Sequence, residues 1–317
     1  MKISVVIPAY NAEKHIARAI ESVLSQTRPA DEVIVVDDGS IDGTADVIRS
    51  FGERVILIQQ ENAGASIARN AGIQAATGDW IAFLDGDDEW LPEKLKLQSD
   101  HLQRHPDLRW TTGNFYRCHC EKNHERIPDM SAATIQETKA AIECNEVFSD
   151  HLASYYLGAK GCTDTKLIQK DLLIEAGLFL PGQKRMNDID MWYRIAYIQP
   201  RIGFIFEPLA VYHLDTHDSI IKVHTDWRLI DEFLTRHLEL AANKHRLDAF
   251  RPCAQTAMRY WIRILMNRNE GAAIRRLLRS HPNLIEPKQR RDLWRASWIP
   301  RFWKWRQESK RRRYGDR

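Results

Sequence analysis

Asp85, Asp87 and Asp88 crowd three carboxylates around Gly86, directly after the apolar run Trp80–Leu84. Anions at this spacing repel one another, so the sequence asks for a positive partner that it does not itself supply. A divalent cation that also holds phosphate oxygens is the natural complement. A solvated acidic turn is the competing reading. If Trp80–Leu84 is a buried strand of a parallel sheet, the carboxylates stand at its carboxyl end, where open α/β sheets bind ligands. Cys118-His119-Cys120, with His124 nearby, offers other metal-binding side chains, but the cluster lacks the C-x2-C spacing of a zinc site.

The elements that must carry the acidic turn are legible upstream of it. Ile3–Ile7, Val33–Val36, Val55–Ile58 and Trp80–Leu84 read as four strands. Between them lie helical patterns. Asn11 can cap a helix with Ile16, Ala19, Ile20, Val23 and Leu24 on one face. Asp42 or Thr44 can start a second helix toward Phe51, and a third runs from Gly64 through Ala68, Ala71 and Ala75. This alternation predicts a mostly parallel sheet with helices on both faces. No G-x-G-x-x-G follows the first strand and no G-x-x-x-x-G-K-[ST] occurs, which argues against the usual dinucleotide fold and a P-loop ATPase. Farther on, Pro92–His105, Asp171–Ala176 and Asp188–Ala196 read as helices, the last with Met191, Trp192 and Ile195 inward. Arg109–Phe115, Gly203–Phe206 and Ala210–His213 read as strands, and the chain after residue 220 reads as helices punctuated by Pro252, Pro282, Pro287 and Pro300.

Four segments taken together resemble the family 2 glycosyltransferases: S-V-V-I-P-A-Y-N at 4–11, V-V-D-D-G-S-x-D-G-T at 35–44, N-A-G-A-S-I-A-R-N-A-G at 62–72 and F-L-D-G-D-D at 83–88. The resemblance implies an α/β fold of the GT-A type, Rossmann-like; the C-terminal helical extension is read from the residues after 220, which the resemblance does not cover. The resemblance further implies an inverting enzyme that moves a sugar from a nucleotide-sugar donor, most commonly a UDP-sugar, to a glycan or a lipid-linked acceptor hydroxyl. Mn2+ or Mg2+ would neutralise the leaving diphosphate. Two other readings stand beside it: a non-catalytic nucleotide-binding scaffold, and a sugar nucleotidyltransferase. The latter's glycine-rich basic loop is replaced here by P-A-Y-N-A-E-K.

Carried over position by position, the resemblance assigns the nucleotide to Pro8, Ala9, Tyr10, Asp38, Arg69, Asp85, Gly86 and Asp87. Asp37 is expected to cap its own turn. The metal falls to Asp87 and Asp88, with His213 or His217 of the V-Y-H-L-D-T-H-D-S segment as a further contact, His217 being the one expected at the metal. N-D-I-D-M-W-Y-R at 187–194 resembles the family's E-D-x-D-x-W-x-R signature. That makes Asp188 the general base, at a helix N-terminus that favours its ionised form. A plain N-cap is the alternative. Asn187, Asp190 and Trp192 are expected on the acceptor side, Asn187 standing where the family carries Glu, and Asp190 is equally open to a structural role. Thr163, Asp164 and Thr165 are weaker candidates for lining the sugar site.

Charge divides the chain. Residues 1–220 hold 22 Lys and Arg against 33 Asp and Glu, whereas residues 221–317 hold 24 against 10 and six of the ten tryptophans. The division predicts a catalytic domain at 1–220, with a nucleotide-binding half at 1–100 and an acceptor-side half at 101–220, followed by a basic helical region at 221–317. Trp294, Trp298, Phe302 and Trp305 among basic residues suit an anionic membrane surface. They suit equally a cover over the catalytic domain or a homodimer contact. Nucleic acid is not expected, because no recognised binding module accompanies the charge. Five cysteines and the absence of a signal-peptide pattern point to the cytoplasm, with peripheral attachment at the inner face of the cell membrane through the basic region.

Overall fold

In the computed structural model, which describes residues 1–119, 125–142, 146–183, 185–214 and 226–298, the opening β-branched run forms β1 (Ile3–Ala9), buried along its whole length. Then come α1 (Ile16–Leu24), β2 (Glu32–Asp37), α2 (Thr44–Arg49), β3 (Ile56–Gln59), α3 (Ala65–Ala75) and β4 (Trp80–Phe83). Helix α1 buries Ile16, Ala19, Ile20 and Val23, the stripe its spacing predicts. Asn11 does not cap it. Its backbone is left-handed (φ +48°), and its side chain accepts the Ile41 N–H at 2.9 Å, which ties the loops after β1 and β2 together. Helix α3 lies close on β1 because Gly72 has no side chain; a Cβ there would stand 2.4 Å from a Val6 methyl.

The chain continues through β5 (Glu89–Trp90), α4 (Lys94–Arg104), β6 (Trp110–His119), β7 (Glu125–Pro128), α5 (Ala132–Ala141), β8 (Val147–Phe148), α6 (His151–Tyr156), β9 (Leu167–Gln169), α7 (Lys170–Glu175), α8 (Asn187–Ile198) and β10 (Ile202–His213). The sheet order is β3-β2-β1-β4-β9-β6-β10-β5, with β7 paired to β6 and β8 to β10. The first four strands are parallel. Strand β9 runs antiparallel to both β4 and β6. The two separate strands expected at 203–206 and 210–213 are one strand, β10, with register shifts on either side of Pro208. The result is a mixed α/β fold with a curled central sheet and helices around it.

By its contacts the chain divides into two compact units, Met1–Ile220 and Ile221–Arg317. The second contains α9 (Trp227–Asn243), α10 (Leu247–Asn267), α11 (Gly271–Ser280) and α12 (Pro287–Ala296). Its core includes Ile230, Phe233, Phe250, Met258, Trp261, Leu265, Ile274 and Leu277. Pro252 sits inside α10 instead of ending a helix, while Pro287 opens α12, where its missing N–H costs no helical bond. No helix among the described residues is long and apolar enough to cross a membrane.

Candidate active site

The acidic turn leaves β4 at the edge of the sheet where the parallel strands end. It closes on itself through a bond from the Asp88 N–H to the Asp85 carbonyl at 3.1 Å. Asp88 is fully buried. Its Oδ1 accepts the His213 main-chain N–H at 2.7 Å, joining the turn to the end of β10. Because β9 runs backwards, its starting end falls at this same edge. A 3-10 turn, Thr163–Thr165, precedes it. Asp164 on that turn is buried, and its Oδ1 accepts the Asp85 N–H at 2.9 Å. Oxygens of Asp85, Asp88 and Asp164 therefore lie within 4.8 Å of one another. Asp87 stands outside this trio; its carbonyl accepts from Arg18.

The electrostatics of the trio follow from burial. Burial, then the charges of Asp164, Asp87 and Asp85, push the Asp88 carboxyl well above the usual carboxylate range, against the bond from the His213 N–H. Burial and the Asp85 charge lift Asp164 to about 7. Nearby, burial lowers Lys94 and Lys166 to about 7 each. Lys94 donates to Gln98 Oε1 at 2.8 Å and sits 3.8 Å from the Trp90 ring centre. Lys166 donates to Thr112 Oγ1 and to the Lys160 carbonyl. The side chains of Asp88 and Asp164 bond to each other, and carboxylates that must otherwise share a proton are a donor set that fits a hard divalent cation such as Mg2+ or Mn2+.

Arg69, on α3, is buried beneath the turn and donates from Nη2 to Asp85 Oδ1 at 2.5 Å. Burial alone would lower its pKa, but the Asp85 charge and hydrogen bond raise it. Its Nε and Nη1 are buried without an acceptor among the described residues. Asp38 is buried at the end of β2. Its carboxylate accepts from Gln60 Nε2 (2.6 Å) and from the N–H groups of Ala63 (3.0 Å) and Gly64 (2.8 Å), so it positions the entry to α3. Asp37 accepts the Ser40 N–H at 3.0 Å and closes the following turn. Pro8 and Ala9 are buried in β1, Tyr10 beyond them is 51% exposed, and Gly86 packs over the Pro8 carbonyl.

Asp188 is the second residue of α8 and is half-buried. Burial raises its carboxyl pKa, opposed by the Ile189 N–H and by the Arg69 charge. Asn187 accepts the Asp188 N–H at 2.8 Å and contacts Ser66 Oγ at 3.3 Å. Asp190 is fully buried and accepts from Arg194 Nε at 2.8 Å. Arg194 in turn donates to the carbonyls of Ala176 and Leu178. Trp192 is also buried, its ring 6.0 Å from Phe83 and 5.7 Å from Phe179. His213 is buried beside Glu89, at 3.8 Å; His217 lies outside the described residues, as do Phe302, Trp305, Cys120 and His124.

One site residue escapes a sequence reading, and a second is named there only as a weaker candidate for lining the sugar site. Arg18 looks like one more polar residue of α1, yet its guanidinium reaches the acidic turn. Asp164 lies in a segment whose polarity alone suggests a loop; only the antiparallel pairing of β9 brings it to the turn.

The comparisons fit this arrangement. The family model described as Glycosyl transferase family 2 matches residues 4–149. The chain is similar to a protein of Bacillus subtilis named as a teichuronic acid biosynthesis glycosyltransferase, TuaG, with 41% identity over 104 residues, 32% of this chain and 41% of that one. It is similar to the glycosyltransferase GlyA of Streptococcus pneumoniae, with 39% identity over 120 residues, 36% of this chain and 17% of that one. The chain thus spans well under two thirds of either relative. Its fold is similar to that of S. aureus TarS 1–349 in complex with UDP-GlcNAc, at a TM-score of 0.65 and 20% identity, over 100% of this chain and 93% of that one.

Proposed function

We propose, from the premise that residues 4–149 belong to glycosyl transferase family 2 on a GT-A fold, that this chain transfers a sugar from a nucleotide-sugar donor to an acceptor hydroxyl with inversion at the anomeric carbon. The observation that carries the reading is the meeting, at one sheet edge, of the carboxylate trio, the unsatisfied Arg69 N–H groups and Asp188 at the start of α8. The similar TarS was solved with UDP-GlcNAc and with UDP, which makes a uridine nucleotide the first donor class to try here.

In this mechanism the acceptor oxygen forms its bond to the anomeric carbon on the face opposite the nucleoside diphosphate. The anomeric C–O bond breaks and its electron pair leaves with the diphosphate. Asp188 takes the hydroxyl proton as the new bond forms. Arg69 offers Nε and Nη1 to a phosphate or ribose oxygen while Nη2 stays on Asp85. Tyr10 and the loop held by Asp38 flank the nucleobase. A divalent cation, held by the acidic turn through Asp87 and Asp88 with Asp85 beside them, would neutralise the departing diphosphate. Asn187, uncharged, orients an acceptor sugar by hydrogen bonding.

Calorimetry with UDP, GDP, dTDP and CDP, each with and without Mn2+, tests the donor site. One nucleotide binding more tightly with Mn2+ is the expected result, and indifference to all four would overturn it. The second unit serves attachment to an anionic membrane surface carrying a lipid-linked acceptor. A groove of about 430 Å3 lined by Arg279, Arg290, Arg291, Arg295 and Trp294 supports this, as does Trp298, 65% exposed.

A further inference from the structure

We infer that Arg18 is a positioning residue for the acidic turn: by holding the Asp87 carbonyl it fixes the peptide unit that joins Asp87 to Asp88. The inference rests on the cation reading above and deepens it. Arg18 belongs to a polar seam along α1. Arg18, Ser22 and, just past the helix end, Gln26 recur every four residues and so lie along one side. Each bonds main chain of the segment that follows the acidic turn or of the turn itself. Arg18 Nη2 donates to the Asp87 carbonyl. Ser22 Oγ accepts the Trp90 N–H at 3.0 Å. Gln26 donates to the Leu91 carbonyl at 2.8 Å and accepts the Leu95 N–H at 3.0 Å. Helix α1 thus splints the main chain from Asp87 to the start of α4, with Arg18 at the end nearest the site.

A peptide unit is planar, so the Asp87 carbonyl and the Asp88 N–H turn together. The N–H donates to the Asp85 carbonyl at 3.1 Å, and the carbonyl accepts from Arg18. The unit is therefore pinned at both ends. The two carboxylates expected at the cation grow from the Cα atoms on either side of it. Gly86 offers no side chain to brace the turn, since a Cβ there would stand 3.1 Å from the Pro8 carbonyl. Without Arg18 the unit keeps one pin, and Asp87 and Asp88 spread over more directions than a cation can use. Charge and position act in opposite senses here. A guanidinium beside a cation site repels the cation, so Arg18 as a charge alone weakens metal binding. Arg18 as a brace strengthens it, and the sign of the effect separates the two.

The test is Mn2+ titration of the full chain with UDP present, followed by the free Mn2+ EPR signal, for wild type, Arg18→Met, Arg18→Lys and Ser22→Ala. Arg18→Met is expected to bind Mn2+ about ten-fold more weakly, the usual loss when a group that orients a metal ligand is removed. Arg18→Lys keeps an N–H donor and should recover most of that loss. Ser22→Ala cuts the same seam one helical turn away and should bind Mn2+ like wild type. UDP affinity without metal should be equal in all four. Arg18→Met binding Mn2+ as tightly as wild type, or more tightly, would overturn the brace and leave the cation reading intact. So would Arg18→Lys as weak as Arg18→Met, an equal loss in Ser22→Ala, or a matching loss of UDP affinity without metal, which would make Arg18 a phosphate ligand. Wild type that takes up no Mn2+ at all would overturn both. Should Arg18→Met not fold, crystals of wild type with UDP and Mn2+ decide. Arg18 on the Asp87 carbonyl beside a bound ion supports the brace, and Arg18 turned onto the diphosphate removes it.

Discussion

Arg69 Nη2 sits 2.5 Å from Asp85 Oδ1, joining helix α3 to the acidic turn through an arginine that is almost wholly buried. The pair fixes one edge of the guanidinium and leaves Nε and Nη1 for a ligand. Lysine would keep the charge but lose the fork. Arg69→Lys is therefore expected to weaken nucleotide binding by about ten-fold or more, an effect of one charge-assisted hydrogen bond, with little change in Mn2+ affinity. Calorimetry with and without Mn2+ checks this, and undiminished nucleotide affinity would remove Arg69 from the donor site.

Asp188 must be ionised to accept a proton. Its folded-state pKa is raised by burial, so activity should fall with decreasing pH along a limb centred above the ordinary aspartate value. Asp188→Asn should lower transfer by about 10²–10⁴-fold, the usual span for a general base, abolish that limb and leave donor binding intact. Initial rates across the acid range measure it. A variant that retains the same limb would shift the role elsewhere.

Asp190 and Arg194 make a different prediction. The carboxylate is fully buried, and its partner also holds two main-chain carbonyls. Asp190→Ala leaves a mostly buried guanidinium without its anion and should cost about 3–5 kcal/mol. Urea denaturation gives the number. A loss below 1 kcal/mol together with a raised acceptor KM would return Asp190 to the acceptor side.

Lys94 carries a pH signature in stability. Its pKa falls from 10.5 to about 7 in the fold, so between those values the unfolded chain binds a proton that the folded chain does not. Its contribution therefore makes the fold gain stability as pH rises from about 7 toward 10.5, and lose it on the way down. Lys94→Met should flatten that slope and stabilise the protein at pH 6 by about 1–4 kcal/mol, as burying an apolar group in place of a charge often does. Parallel slopes for the two proteins, from urea melts at pH 6 and 9, would refute the assignment.

The groove on α11 and α12 gives the last test. Replacing Arg279, Arg291 and Arg295 by Gln should reduce partition onto anionic vesicles about a hundred-fold, at roughly 1 kcal/mol per arginine. Neutral vesicles should not respond. Flotation of both proteins on both vesicle types measures it, and equal recovery would leave the groove without a membrane role.

Much of this was readable from residues alone. The β-branched runs predict β1 to β4 and their parallel order, and the stripe on α1 predicts its buried face, because both patterns are local and repeat with the element's own period. The acidic turn and the start of α8 stand out for the same reason: charge placed where an apolar run ends. Other features depend on pairing at a distance. Strand β9 has three residues and no alternation to announce it, so neither its reversed direction nor the arrival of Asp164 can be read locally. Pro208 suggests a break in β10, but the sheet absorbs it as register shifts. Asn11 has the chemistry of a cap and serves a loop instead, since a left-handed backbone aims it at Ile41. Arg194 pairs with Asp190 in the interior, a contact that no spacing rule distinguishes from a surface pair.

The reversed strand also sets where the chain tolerates change in length. Side chains along β9 alternate between the two faces of the sheet, and only Leu167, Ile168 and Gln169 hold its register against β4. Losing one residue between Gly161 and Gln169 would turn Leu167 and Ile168 to the wrong faces and draw the turn at 163–165 away from the sheet edge. Length variation is thus forbidden in a stretch that looks, by composition, like the most dispensable of loops.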